Sequence, residues 1–211
     1  MFITFEGVEG SGKTTQVNLL SQFLAKKHID FILTREPGGS PIGQHLRKIL
    51  LSEEFQIDSK TELLLYLAER AEHVEKVIKP ALKEGRLVLC DRYGDATRAY
   101  QVFGRNLSRS LVEDLETFAT GSLEPDLTLL LRLDPKTALQ RAKARNQTLP
   151  FLEGRFEAEE LEFHQRVFEG YEALVKEFGK RIKVVDANGD AGEVFEAVLK
   201  TLCRFGAISE A

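Results

Sequence analysis

Residues 7–14, Gly7-Val8-Glu9-Gly10-Ser11-Gly12-Lys13-Thr14, satisfy G-x-x-x-x-G-K-[ST] at every fixed position. That pattern suits a polyphosphate. Its glycines let the backbone wrap closely around an oxygen-rich group with N–H groups turned inward. Lys13 would bridge the β- and γ-phosphates, and the Thr14 hydroxyl would face Mg²⁺. The binding stretch extends to Thr15, where a helix presents its positive end to the same phosphates. A strand before the motif and an amphipathic helix after it are the context it requires. They argue against a glycine-rich turn with no ligand. Asp91 directly follows the apolar run Leu87 to Cys90. Acidic residues often end strands, but beside a phosphate cradle Asp91 becomes a second candidate metal ligand.

The cradle implies a bound nucleotide triphosphate without fixing what receives its phosphate. The arginines narrow that choice. Arg35, Arg47, Arg70 and Arg92 fall in or near regions that follow strands, where a doubly wound sheet builds its site. Planar guanidinium groups fork around phosphate oxygens, so this set suits an acceptor that is itself phosphorylated. A second group, Arg141, Lys143, Arg145 and Arg155, flanks an irregular stretch from Asn146 to Glu157. Such a stretch reads as a basic lid that excludes water from the transfer; Lys143 alone reads as surface charge. Two other classes remain open. A GTP-binding switch would explain Asp91-Arg92-Tyr93-Gly94 as D-x-x-G, although no N-K-x-D string is present to read guanine. A non-catalytic nucleotide-binding module would leave the later arginines as surface charge. The four histidines show no ligand or triad spacing and are expected at surface or helix positions.

These side chains need a scaffold, and the apolar pattern supplies one. Phe2–Phe5, Phe31–Leu33, Leu87–Cys90, Leu127–Leu131 and Ile182–Val185 read as short buried strands. Helical spacing covers Lys13–Lys27, Ile42–Leu51, Lys60–Lys83 with Pro80 inside it, Leu107–Thr120, Lys136–Arg145 and Ala191–Phe205. Strands alternating with helices predict an α/β fold: a five-stranded parallel sheet covered by helices on both faces. With 211 residues and no linker or repeat, one domain over 1–211 is expected, carrying a lid at about 146–157.

Composition excludes several partners. Hydrophobic residues make up 43% and charged residues 29%, with a formal net charge of −4. That balance lacks the basic excess of a duplex-binding protein, so no nucleic-acid partner is expected. The start of the chain lacks a basic signal-peptide flank, and no stretch approaches a membrane span of ~18 apolar residues. The two cysteines, Cys90 and Cys203, show no metal-ligand spacing. A cytosolic protein without membrane contact is the expectation.

The sequence resembles the bacterial thymidylate kinases over nearly its whole length. The resemblance rests on Phe5-Glu6-Gly7, on Thr34-Arg35-Glu36-Pro37-Gly38-Gly39, and on Asp91-Arg92-Tyr93 followed by Ala99-Tyr100-Gln101. Pro125-Asp126-Leu127-Thr128 and Gly154-Arg155-Phe156-Glu157 look like two later landmarks. It implies a P-loop NTPase fold, ATP as donor with Mg²⁺, dTMP as acceptor, and a homodimer packed through helices. It also implies roles. Tyr66 would stack on thymine, although periodicity alone puts it in core packing beside Leu63–Leu65. Arg70 would reach a thymine carbonyl, and Thr97 and Gln101 the base edge. Tyr100 would crowd the sugar, while Arg35, Arg47 and Arg92 would hold the acceptor phosphate. Glu9 is the acid that the family carries near the acceptor. Because Ser11 is not arginine, the charge-stabilising arginine is expected from the lid, Arg155 first and Arg145 second. The chain departs from the family pattern at Gly154, Ala96, Val102 and Arg132.

Overall fold

The computed structural model describes residues 1–146 and 154–208; of the expected lid, residues 147–153 lie outside the described residues. Its strands are β1 (Phe2–Glu6), β2 (Phe31–Arg35), β3 (Leu87–Asp91), β4 (Leu127–Arg132) and β5 (Ile182–Asp186). They form one sheet in the order β2-β3-β1-β4-β5, and every neighbouring pair is parallel. All of β1 is buried, as a central strand between two layers must be. The pleat divides its side chains. Phe2, with Val88 and Cys90, packs against Val74, Ile78, Ala81 and Tyr93. Ile3 and Phe5, with Leu89, Leu129 and Leu131, join Val17, Leu20 and Leu24 in the larger core. Between the layers, the Thr4 and Thr128 hydroxyls pair at 2.8 Å, and Asp95 accepts from Thr128 at 2.9 Å and from Arg181 at 2.6 Å.

The helices are α1 (Lys13–Lys26), α2 (Pro41–Leu51), α3 (Ser59–His73), α4 (Lys79–Lys83), α5 (Gly94–Thr97), α6 (Arg109–Thr120), α7 (Pro135–Asn146), α8 (Leu161–Phe178) and α9 (Ala191–Phe205). Local chemistry explains several ends. Ser40 accepts the Gly43 N–H and Pro41 opens α2. Asp190 and Glu193 form a capping box at α9, and Gly206 closes it in a left-handed conformation.

Three regions depart from expectation. The helix expected over Lys60–Lys83 is interrupted by a π-helical stretch at Val74–Ile78 before Pro80, which sits in the first turn of α4. Proline has no N–H and its ring crowds the carbonyl four residues earlier, and a π turn absorbs both without breaking the rod. A second π-helical stretch, Arg98–Gly104, continues α5 and carries Tyr100 and Gln101. Neither this element nor α8 was expected from the sequence. In α8, Phe163, Val167, Gly170, Tyr171 and Leu174 are buried, a helical period that was present but obscured by flanking charge. Here glycine permits close approach. A Cβ on Gly104 would press on the Phe163 ring at 2.7 Å, and one on Gly170 on the Phe103 ring at 2.9 Å.

Candidate active site

The register brings the chemistry to one edge. Phe5 and Arg35 both pair with Asp91, so β1, β3 and β2 end side by side. The 7–14 loop leaves β1 there with Gly7, Gly10 and Gly12 at φ of 139°, 78° and 93°, a region that favours glycine. Gly10 is doubly constrained, because an added Cβ would collide with the Ala138 carbonyl oxygen of α7. Lys13 Nζ donates to the Gly7 and Val8 carbonyls at 3.0 and 2.8 Å. Burial, then the Arg92 charge, pushes the ammonium down to about 8, against the pull of Asp91, Glu9 and Glu6. Thr14 Oγ1 donates to Asp91 Oδ2 at 2.7 Å. A hydroxyl and a carboxylate this close form an all-oxygen donor pair, which fits a hard divalent cation.

Arg92 follows β3 with φ 74°, and that conformation turns its side chain back over the loop. Its Nη1 donates to the Gly7 carbonyl at 3.0 Å and its Nη2 to Glu9 Oε1 at 2.8 Å. Tyr100 donates to Glu9 Oε2 at 2.6 Å, and its ring lies 5.0 Å from the Arg92 guanidinium. Burial would raise the Glu9 carboxyl, but Arg92 and Lys13 outweigh it and hold Glu9 below the usual carboxylate range. Below them Glu6 accepts the Tyr93 N–H at 2.7 Å and the Tyr171 hydroxyl at 2.8 Å. Burial and the Asp95 charge push Glu6 up to about 7.

A cleft of about 530 Å³ opens over this edge. Residues Glu9 to Thr15 and Asp91 line it; Gly7 and Val8 supply the carbonyls that Lys13 meets. Arg35, Arg47, Tyr66, Arg70, Arg92, Thr97, Tyr100 and Gln101 all line the same space. The sequence-predicted cradle and acceptor residues are thus brought together. Arg70 is almost fully buried, donating to Glu36 and Glu116 at 2.7 Å each over the Tyr93 ring. Tyr66 is half-buried and lies 6.5 Å, ring to ring, from Phe156. Arg47 Nη1 donates to the Pro37 carbonyl at 2.9 Å.

Sequence reasoning gave no role to the acids that hold these groups. Glu69 Oε1 accepts the Gly38 and Gly39 N–H groups at 3.0 and 3.1 Å, pinning the loop after Arg35. Burial and the neighbouring Glu36 charge push the Glu69 carboxyl up to about 7. His73 lies on a helix as expected but is fully buried, bridging Glu36 at 2.9 Å and Thr34 at 2.7 Å. His164 is likewise buried, with Nδ1 3.8 Å from Glu9. The ligand atoms of Glu36, Glu69 and His73 cluster within 4.8 Å, but Arg70, Thr34 and the loop amides already occupy most of them.

The later arginines separate. Arg141 and Arg145 line the cleft. Arg141 Nη1 donates to the Ala187 carbonyl at 3.1 Å, and Arg145 Nη2 to Glu157 at 2.9 Å. Arg155, expected first for charge stabilisation, does not line it. Its Nη1 donates to Glu62 at 2.6 Å, its Nε to the Leu50 carbonyl, and its guanidinium lies over Phe156. In this structure a buried carboxylate therefore holds Arg155, and of the two arginines Arg145 is the one at the cleft. Lys143 is exposed, and Arg132 pairs with Glu172 at 2.8 Å. The connection from β5 to α9 also lines the cleft, tied down where Gln16 donates to the Ala191 carbonyl at 3.0 Å. No motif marked it.

Comparison with known proteins gives one answer. A family model described as thymidylate kinase matches residues 5–198. A thymidylate kinase of Desulfovibrio desulfuricans is 50% identical over 191 residues, covering 89% of this chain and 88% of the relative. One of Gloeobacter violaceus is 51% identical over 187 residues, covering 89% and 87%. The crystal structure of thymidylate kinase from Ehrlichia chaffeensis superposes with a TM-score of 0.78 at 33% identity, covering 96% of this chain and 97% of that one.

Proposed function

This chain belongs to the thymidylate kinase family, and from that premise we propose how its cleft transfers a phosphoryl group from ATP to dTMP. The reaction is ATP plus dTMP giving ADP plus dTDP. The observation that carries the division of labour is the single cleft lined by both the 7–15 loop and the acceptor-side arginines. We assign the ATP phosphates to Gly7–Thr15, with Lys13 Nζ on the transferred group. The adenosine lies toward Arg141 and the β5–α9 connection. Thr14 and Asp91 would hold Mg²⁺, which supplies charge neutralisation to the phosphate oxygens when bound.

Arg35, Arg47 and Arg92 hold the acceptor phosphate. Tyr66 faces the thymine ring, Arg70, Thr97 and Gln101 its edge, and Tyr100 the sugar. Glu9 orients Arg92 and Tyr100 toward that phosphate. Transfer of this kind asks mainly for positioning and charge stabilisation, which a set of clamped cations provides. Arg145, already at the cleft, is the lid residue we place on the transferring group, ahead of Arg155.

Residues 1–211 act as one kinase domain in this reading. Two copies pack through the outer face of α2, α3 and α6, where Ile42, Leu64, Leu111 and Phe118 stand exposed, Phe118 at 90%. No described helix is long and apolar enough to cross a membrane. Cys90 and Cys203 are free thiols, which fits the reducing cytoplasm we assign to the enzyme. The test is ADP release with each nucleoside monophosphate supplied separately. Saturable turnover with dTMP that a chelator abolishes supports the reading. Turnover indifferent to chelation removes Thr14 and Asp91 from it.

A further inference from the structure

Behind the cleft lies a buried junction that the reaction does not explain. Glu62 of α3 is fully buried. Its Oε1 accepts from Gln101 Nε2 at 2.8 Å and Arg105 Nε at 3.2 Å; its Oε2 accepts from Arg105 Nη2 at 3.0 Å and Arg155 Nη1 at 2.6 Å. Three side chains from two distant segments thus converge on one carboxylate. Burial alone would neutralise it, but the Arg105 hydrogen bonds and the Arg155 charge outweigh burial and hold Glu62 below the usual carboxylate range. An ionised carboxylate only accepts. It can therefore engage an amide only through the NH₂ end, and chemistry fixes which way Gln101 points. The Gln101 oxygen has no partner among the described residues, and the residue lines the cleft.

We propose that Glu62 is a positioning residue for base choice: it locks the Gln101 amide with nitrogen inward, so that the acceptor nucleotide meets an oxygen and must offer an N–H. This rests on the assignment of Gln101 to the base edge. Thymine meets the demand, since its N3–H lies between two carbonyls, and Arg70 in the same cleft has only donors to give those carbonyls. Cytosine offers a lone pair at N3 and an amine beside it. Oxygen then faces lone pair, and a desolvated polar group is left unpaired. Uracil shares the N3–H, so the junction rejects dCMP and not dUMP.

The test uses the full-length enzyme and compares dTMP with dCMP, the latter scored as a competitive inhibitor against dTMP. Glu62→Gln can both donate and accept, so it releases the Gln101 amide to turn over. The dTMP-to-dCMP preference should narrow by roughly ten-fold, chiefly through KM for dTMP, while KM for ATP stays within about two-fold. A loss shared equally by both monophosphates, or one that follows the ATP KM, would mark Glu62 as merely structural and overturn the proposal. Gln101→Met should narrow the preference on its own, and adding Glu62→Gln to it should narrow it no further. An additive second loss overturns the proposal. If Gln101→Met leaves the preference intact, the base-edge assignment of Gln101 falls as well; an intact preference in Glu62→Gln alone sinks only the role of Glu62. Should Glu62→Gln fail to fold, the wild-type protein with ¹⁵N-glutamine gives a direct reading. The Gln101 side-chain amide, identified by its disappearance in Gln101→Met, should exchange slowly with solvent, and fast exchange refutes the lock.

Discussion

Lys13 is the cation that the 7–14 loop itself encloses. Its ammonium is buried against the loop carbonyls it bonds, and in the reaction it would meet the transferring phosphate. Lys13→Ala should lower kcat by roughly 10²–10³-fold or more, as loss of a preorganised cation does, while Tm moves by only a few degrees. Substantial turnover in that variant would remove Lys13 from the mechanism. Its proton also sets a pH limit. Because the folded-state value is lowered to about 8, kcat/KM for ATP, which reports the free enzyme, should fall as pH rises through that value. The stability term has the opposite sense: the cost of burying the charged ammonium is full below about pH 8 and fades as pH climbs toward the unfolded value. The two later arginines divide by their partners. Arg145→Ala should lower kcat with KM for dTMP nearly unchanged, and Arg155→Ala should act chiefly on KM for dTMP through Glu62. Steady-state kinetics with dTMP varied separates them, and the reverse pattern restores Arg155 to the transferring group. The sequence could name both as cations flanking an irregular stretch, but it could not show that Glu62, some ninety positions earlier, had taken one of them. Lys13 and Thr14 were legible because their motif is contiguous in the chain, whereas Glu9 was marked only by the resemblance and meets Arg92 and Tyr100 through the fold. Glu62 and Glu69 were not, because each owes its role to residues that only folding brings near.

Among the elements, the loop after β2 shows how a buried acid can tune a scaffold. Glu69 keeps Gly38 and Gly39 in place with one oxygen, and its other oxygen is buried without a hydrogen-bond partner among the described residues. With its carboxyl raised to about 7, the folded chain holds a proton that the unfolded chain releases between about pH 4.5 and 7. Stability therefore declines as pH rises across that window, and above it the full cost of the buried charge remains. Glu69→Gln keeps an acceptor for the loop but cannot ionise. Relative to wild type its Tm should gain on the order of a few degrees at pH 8 and almost nothing at pH 5. An equal gain at both values would show that the carboxyl does not titrate in this range. The strands and most helices were legible, since their apolar periods are strong. The π-helical stretches were not, because nothing in a local pattern separates them from an α-helix. Arg98–Gly104 matters most, since its position against α8 depends on the facing glycines Gly104 and Gly170, which carry no periodic signal.

Across the whole molecule, several large apolar side chains stand exposed on α2, α3 and α6. They are Phe118 and Leu111 of α6, Leu64 of α3 and Ile42 of α2, the residues of the proposed contact. Phe118→Glu would set a charge within the proposed contact between two copies. Sedimentation should then find a single-chain mass where the wild type sediments at twice that mass. A wild type already at the single-chain mass would refute the pairing. The opposite side of α3 carries Glu62, Tyr66, Glu69 and Arg70, so one helix would join the proposed contact to the proposed dTMP pocket. Specific activity should therefore depend on how dilute the enzyme is. If the proposed pair forms, diluting it apart should slacken dTMP affinity first and leave ATP gripped as before.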